Sequence, residues 1–280
     1  MIRYDSHVHT SFSTDSDTPM EEMILTGIQK HLTGITFTDH MDYHFPLKYV
    51  KNDDNNKTAK APFSFDIEEY LSRIHELRDL YSDRIKLYCG VEMGLKEDAW
   101  ESNWKLSQNP ALDYVIGSVH LVNDMDPYYP EYWESYEEKK ALLLYFETTL
   151  NNLEQLGELQ MDSLGHLDYI VRYSPSGYRL YSYHMFADVI DAILAKLIER
   201  NICLEINTSG YKNGGTMPNP SEEIIRRYRY MGGKWITFGS DAHTTDHLTA
   251  DFGKAEKLAV SAGFDSYLTF EQRSPVIHQF

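Results

Sequence analysis

Tyr4-Asp5-Ser6-His7-Val8-His9 sets two imidazoles one residue apart on an apolar run. Alternate side chains of a strand share a face, so His7 and His9 point the same way. That geometry suits a metal ion of the zinc, manganese or iron type, which takes imidazole nitrogen together with carboxylate oxygen. Five further apolar runs end in residues of the same kind: Gly34 to His40, Lys86 to Glu92, Tyr114 to His120, Ser163 to Asp168 and Ile236 to His243. Any one of the 12 histidines taken alone reads as a solvated turn residue. Their shared position at the ends of strand-like runs carries the metal reading, because parallel strands deliver such residues to one place.

Around these runs the chain alternates between strand-like and helix-like segments, the pattern of a parallel sheet wound with helices. Strands are expected at Ile2, Ile35, Ile85, Tyr114, Leu164, Ile202 and Trp235, with a weaker one near Tyr267. Seven such units can close into a barrel whose site lies at the C-terminal strand ends, where the candidate ligands fall. The first helix is expected to open on Thr18-Pro19-Met20-Glu21, read as a capping-box pair with proline at the first helical position, and to bury Met23, Ile24 and Ile28. A second helix is expected from Asp66 to Tyr81 with Ile67, Tyr70, Leu71, Ile74, Leu77 and Leu80 as its buried stripe. Others are expected over Glu137 to Leu156, Phe186 to Arg200 and Ser221 to Met231. Two long connections, Met41 to Ser64 and Leu121 to Glu134, read as lids or binding segments.

Composition narrows the function. A chain of 280 residues can build one large core, so a single domain over residues 1–280 is expected. The 26 basic and 43 acidic residues leave a net charge of −17, which argues against nucleic acid or anionic lipid as a partner. Three divalent ions would restore roughly +6 in one place, so a small anionic substrate is still admissible. Cys89 and Cys203 sit inside apolar runs and read as buried reduced thiols, which fits a cytoplasmic location. No charged-then-apolar leader opens the chain, and no apolar stretch is long enough to span a bilayer.

Taken in order, His7-x-His9, Thr38-Asp39-His40, Gly90-Val91-Glu92, Gly117-Ser118-Val119-His120, Gly165-His166-Leu167-Asp168 and Ser240-Asp241-Ala242-His243 resemble the polymerase-and-histidinol-phosphatase (PHP) family. The resemblance implies a TIM-like, distorted (β/α)7 barrel holding three divalent ions, zinc, manganese or iron. It implies that His7, His9, Glu92 and Asp241 hold one ion, that Glu92 bridges to a second completed by His120 and His166, and that His40 and His243 take the third. Where many relatives have a further histidine, this chain has Asp15, an oxygen ligand that shifts preference toward manganese or iron. Asp39 and Asp168 are expected to orient His40 and His166 or to cap turns, and Asp5 to hold a strand end. The implied activity is hydrolysis of a small phosphate monoester, L-histidinol phosphate first. A nucleotide, a sugar phosphate or phosphotyrosine is the alternative substrate. An amidohydrolase barrel or a non-catalytic metal module is the alternative class.

Phosphate monoesters resist attack because their oxygens are anionic, and two ions about 3.5–4 Å apart that share a hydroxide address that barrier. Glu92, Asp241, His243 and Arg172 form the expected catalytic set, with Asp241, His243 or a bound water as proton donor to the leaving alkoxide. Arg172 and Lys212 are expected to bind phosphate oxygens. Glu205 and Asn207 end the sixth strand and read as substrate contacts or as support for the ligands. A histidinol pocket calls for acidic and aromatic groups, which Asp42, Tyr43, His44 and Phe45 supply on one connection and Asp124, Asp126, Tyr128 and Tyr129 on the other.

Overall fold

The first strand and the last strand of the ring meet through the ligand motifs themselves. In the computed structural model, which describes residues 1–49, 63–179 and 181–280, His9 N donates to Ala242 O at 2.9 Å and Asp241 N to His7 O at 2.8 Å. The element order is β1 (Tyr4–Val8), α1 (Met20–Gln29), β2 (Gly34–Phe37), β3 (His40–Met41), α2 (Ile67–Tyr81), β4 (Lys86–Gly94), α3 (Trp100–Ser107), β5 (Tyr114–Ser118), α4 (Pro130–Ser135), α5 (Glu138–Glu154), β6 (Ser163–Leu164), α6 (Ala187–Arg200), β7 (Cys203–Asn207), α7 (Glu222–Tyr230), β8 (Ile236–Gly239), α8 (Phe252–Ser261), β9 (Ser266–Glu271) and β10 (Ser274–Gln279). The parallel sheet runs β1-β2-β4-β5-β6-β7-β8, with the short β3 also paired to β4. This is the expected nearly closed barrel of seven strands. Strands β2, β5, β7 and β8 are buried at every residue, as parallel strands covered on both faces must be.

Helix α2 starts where expected because the Asp66 carboxylate accepts from Glu68 N at 2.9 Å and Glu69 N at 3.1 Å. Its buried stripe is Tyr70, Leu71, Ile74, Leu77 and Tyr81, and Leu80 is 62% exposed. Four residues on from Leu77, Tyr81 faces the core and Leu80 has already turned outward. The capping box expected at α1 does not form: the Thr18 hydroxyl donates instead to His243 O at 2.8 Å, and Glu21 accepts from the Tyr81 hydroxyl at 2.6 Å. Pro19 precedes the helix as its cap rather than occupying its first turn. Helices α3, α4 and α8 were not expected, and α4 begins inside the connection read as a loop from Leu121 to Glu134. Of the Met41 to Ser64 connection, residues 50–62 lie outside the described residues; Phe45 and Tyr49 pack on Leu121 beside Phe63 and Tyr129.

The weak strand near Tyr267 is half of an antiparallel hairpin, β9–β10, separate from the barrel. Leu268 and Phe270 pack on Tyr114, Ile116 and Cys203 at the end of the barrel opposite the ligand motifs. Arg273 Nε lies 2.8 Å from Asp162, and Gln272 N donates to Asp113 at 2.9 Å. Cys89 and Cys203 are buried and unpaired. Among the described residues no helix is long and apolar enough to cross a membrane.

Candidate metal centre

Glu92, at the end of β4 and wholly buried, touches five imidazoles. His166 Nε2 and His120 Nε2 lie 2.8 and 3.2 Å from its Oε1. His40 Nδ1, His7 Nε2 and His9 Nε2 lie 2.9, 3.3 and 3.4 Å from its Oε2. Asp241, held at φ 53°, places Oδ1 3.3 Å from His9 Nε2 and 3.6 Å from His243 Nδ1. Asp15 adds an outer edge, 3.0 Å from His243 Nε2 and 3.6 Å from His40 Nε2. Four triads have ligand atoms close enough for one ion: His7, His9 and Asp241; His7, Glu92 and His166; His40, Glu92 and His120; and His9, His40 and His243.

The hydrogen bonds behind these rings decide which nitrogens face inward. A carboxylate only accepts, so His7 Nδ1 donates to Glu205 Oε1 at 2.6 Å and turns the lone pair of Nε2 into the cluster. Ser13 Oγ donates to Asp39 Oδ1 at 2.7 Å and accepts from His9 Nδ1 and His40 N, both at 3.0 Å, which uses its one proton and both lone pairs. His9 Nε2 therefore also presents a lone pair, 3.0 Å from that of His7. Two lone pairs at that separation repel unless a proton or a cation sits on them. His120 repeats the pattern, with Nδ1 on Asp42 Oδ1 at 2.7 Å and Nε2 aimed at Glu92. Glu92 Oε2, His40 Nδ1 and Asp42 Oδ2 are buried without a hydrogen-bond partner of good geometry. This donor set fits divalent cations.

Electrostatics point the same way. Burial pushes the His9 ring down to about 3, helped by the facing His243 and His40 rings, so His9 stays neutral. For His7, burial works downward but the Glu205 and Glu92 carboxylates outweigh it and hold the ring well above its ordinary value. Burial alone would raise Glu92, yet His7, His40 and His120 hold it well below the usual carboxylate range. His120, against its own burial, is raised to about 10 by Asp42 and Glu92.

A family model described as the PHP domain matches residues 5–209. The chain belongs to the PHP family. It is 34% identical over 270 residues to a Clostridium acetobutylicum protein named "Probable histidinol-phosphatase", covering 96% of this chain and 97% of that one. It is 29% identical over 271 residues to the histidinol-phosphatase of Lactococcus lactis, covering 96% and 95%. The crystal structure of histidinol phosphate phosphatase from Lactococcus lactis, complexed with zinc, L-histidinol and phosphate, superposes with a TM-score of 0.86 at 28% identity over 98% of both chains. A solved chain from Listeria monocytogenes, 19% identical with a TM-score of 0.76, shares the fold over 90% of this chain and 99% of its own.

In this PHP protein the nine residues named as ligands from sequence all converge. Arg172 and Lys212 reach the same edge: Arg172 Nη2 donates to Ser209 Oγ at 2.7 Å, Ser209 Oγ to Asp241 Oδ2 at 3.1 Å, and Lys212 Nζ to Asp241 O at 2.7 Å. Two substrate-pocket expectations are corrected. Asp42 is buried against the His120 and His40 rings and orients His120, because the residue after β3 points inward beneath Gly94, where any Cβ would collide with its carboxylate. The His44 side chain is 53% exposed and lies 3.6 Å from Asp98, turned out by a backbone at φ 60°. Asp168 does not orient His166; it accepts from Ser221 N at 2.9 Å and the Tyr181 hydroxyl at 3.2 Å. Asp39 acts through the turn, gathering Thr10 and Ser13. Asp5 holds strand ends together through Ser240 N and Thr249 N, both at 3.0 Å. Glu205 takes His166 N at 2.8 Å besides His7, and Asn207 Nδ2 steadies it at 3.1 Å. Ser13 was missed; its only sequence signal is a hydroxyl four residues past His9 in a polar turn.

Proposed function

We propose that this protein is a metal-dependent phosphatase that hydrolyses L-histidinol phosphate to L-histidinol and inorganic phosphate, as in histidine biosynthesis. The observation that carries the metal-dependent chemistry is the facing pair of lone pairs on His7 and His9 beside Glu92 and Asp241. The substrate reading is supported by the likeness to the zinc-, histidinol- and phosphate-bound Lactococcus lactis enzyme. The proposed ligand sets are His7, His9, Glu92 and Asp241 for one ion, Glu92, His120 and His166 for a second, and His40, His243 and Asp15 for a third. When bound, divalent cations supply water ionised near neutral pH and neutralise phosphoryl oxygens during in-line attack. The protein holds the donors at fixed spacing through Glu92 and, by committing Nδ1 of His7 to Glu205 and Nδ1 of His9 to Ser13, fixes Nε2 as the nitrogen of each neutral ring that faces the cluster. Arg172 and Lys212, gathered at Asp241, bind phosphoryl oxygens, Arg172 with a buried Nε that has no partner of its own.

The same reading takes residues 1–280 as one phosphoesterase domain, supported by the packing of β9–β10 against the barrel, and places it in the cytoplasm, supported by two buried free cysteines. The test is elemental analysis of the purified protein paired with phosphate release from a panel of monoesters. Histidinol phosphate is expected as the preferred ester. Turnover of other monoesters without it would overturn the substrate, and stoichiometric metal with no turnover at all would overturn the phosphatase.

A further inference from the structure

The segment after β5 doubles back on itself. Val122 N donates to Met125 O at 2.9 Å and Met125 N to Val122 O at 3.0 Å. Asn123 and Asp124 between them take the left-handed backbone at φ 51° and 58°, the two-residue turn that Asn and Asp accept better than most residues. The turn returns Asp126 alongside Leu121, next to the ligand His120. There its backbone is fastened: Asp126 N donates to the Tyr49 hydroxyl at 3.2 Å, and its carbonyl accepts Tyr129 N at 3.0 Å. Asp126 Oδ1 accepts Tyr128 N at 2.8 Å. Among the described residues no lysine or arginine pairs with this carboxylate, whereas Asp124 pairs with Lys96 at 2.7 Å.

An aromatic wall ends at Tyr128, the residue whose N donates to Asp126. The Tyr169 ring lies 4.7 Å from His166 and 6.1 Å from His120, Tyr173 lies 5.8 Å from Tyr169, and Tyr128 lies 5.4 Å from Tyr173. The wall thus leads from two of the rings on Glu92 out to Tyr128, which is 61% exposed. Burial raises the Asp126 carboxyl to about 6 against the pull of Tyr128 N and His120, and its charge in turn contributes to the raised Tyr169 and Tyr173 hydroxyls, so it lies within electrostatic reach of both. A carboxylate with one oxygen left without a hydrogen bond among the described residues, close to a run of tyrosines, is an arrangement suited to an organic cation. The cationic groups suited to phosphate, Arg172 and Lys212, gather on Asp241 instead.

We propose that Asp126, with Tyr128 and Tyr173, recognises the positively charged alcohol portion of the substrate and selects cationic phosphate monoesters over neutral ones. The proposal rests on the phosphatase reading and adds how the organic half is chosen; L-histidinol carries an ammonium group that meets the requirement. Asp126→Asn keeps an Oδ1 acceptor for Tyr128 N, so the turn stays fastened while the charge goes. With L-histidinol phosphate the variant is expected to lose about tenfold to a hundredfold in kcat/KM, the worth of a charge-assisted hydrogen bond, through KM with kcat little changed. With p-nitrophenyl phosphate, whose leaving group carries no positive charge, it is expected to match the wild type. Equal loss on both esters, or no loss on the first, overturns the proposal. Calorimetric titration with L-histidinol needs no turnover and separates the two readings. Weaker binding of L-histidinol by Asp126→Asn supports the cation contact whatever the turnover, so a protein that hydrolyses no ester would end the phosphatase and the choice among esters but not that contact; equal binding by both proteins ends this proposal even in an active enzyme.

Discussion

Glu205→Gln removes one charge and almost no volume, yet it is expected to weaken cation binding by about 10- to 100-fold, the usual effect of losing the partner behind a ligating histidine. Glu205 is 1% exposed, so no solvent replaces what it gives up. Its Oε1 receives His7 Nδ1 at 2.6 Å, and its Oε2 receives His166 N at 2.8 Å and Asn207 Nδ2 at 3.1 Å. All three partners are donors in this arrangement, and an amide has only one acceptor oxygen. With the amide nitrogen at the Oε1 position, His7 must either lose its partner or move its proton to Nε2, which takes away the lone pair aimed at His9. With the nitrogen at the Oε2 position, the His166 amide is left buried and unpaired. An unsatisfied buried donor costs about 1–3 kcal/mol, so the ion-free protein should also lose stability of that order. Competition with a chelator of known affinity reads the cation term, and urea unfolding of the ion-free protein reads the stability term. Cation affinity within about twofold of wild type would refute the reasoning, since a tenfold effect corresponds to only about 1.4 kcal/mol and is easily resolved.

Ser13→Ala deprives His9 Nδ1 and His40 N of one shared acceptor; a loss of about tenfold or more in metal affinity is expected with helical content unchanged by circular dichroism, and full affinity would count against Ser13 as the hub. Cation uptake should release protons, because the carboxylates around them hold His7, His40 and His243 above their ordinary values and His120 at about 10 against the opposing effect of burial. The stability that the ion-free protein draws from these protons is complete below the ordinary imidazole value of about 6.5 and fades as pH rises toward the raised values. Apparent cation affinity therefore climbs with pH across that window, and calorimetry in buffers of different ionisation enthalpy that finds no proton release would contradict the assignment. Gly239→Ala places a methyl group against His7 Cβ and Glu205 Oε1; the variant should lose about 1–3 kcal/mol by overpacking, read by thermal unfolding, and wild-type stability would show that the pair has slack.

What could be read from sequence and what could not divides along physical lines. Eight of the nine candidate ligands were legible because they lie at or just past the end of a buried parallel strand, where the apolar run and the polar residues that follow it are adjacent in the chain. Asp15, in the turn region after β1, came only from the family resemblance. Ser13 and Asp42 were not legible, since their roles come from contacts with Asp39 and His120, 26 and 78 residues away. Strand β10 was hidden because Gln272 and Arg273 take the left-handed turn conformation at φ 49° and 62° without the Asn-Gly signature that marks such hairpins. Thr18 and Glu21 carry the capping signature, yet tertiary partners at His243 and Tyr81 claim both side chains. The aromatic wall from Tyr169 to Tyr128 combines two connections, and 21 tyrosines conceal such an arrangement in one dimension.

The seam between β1 and β8 has a bearing on how the chain matures. Asp241 and Ala242 are synthesised 234 and 233 residues after His7 and His9, the partners to which they hydrogen-bond. Contacts so distant along the chain are slow to form. A nascent chain thus carries these two imidazoles with neither the closing strand nor Asp241 beside them until β8 has been made, and the cluster of His7, His9 and Asp241 cannot assemble before then.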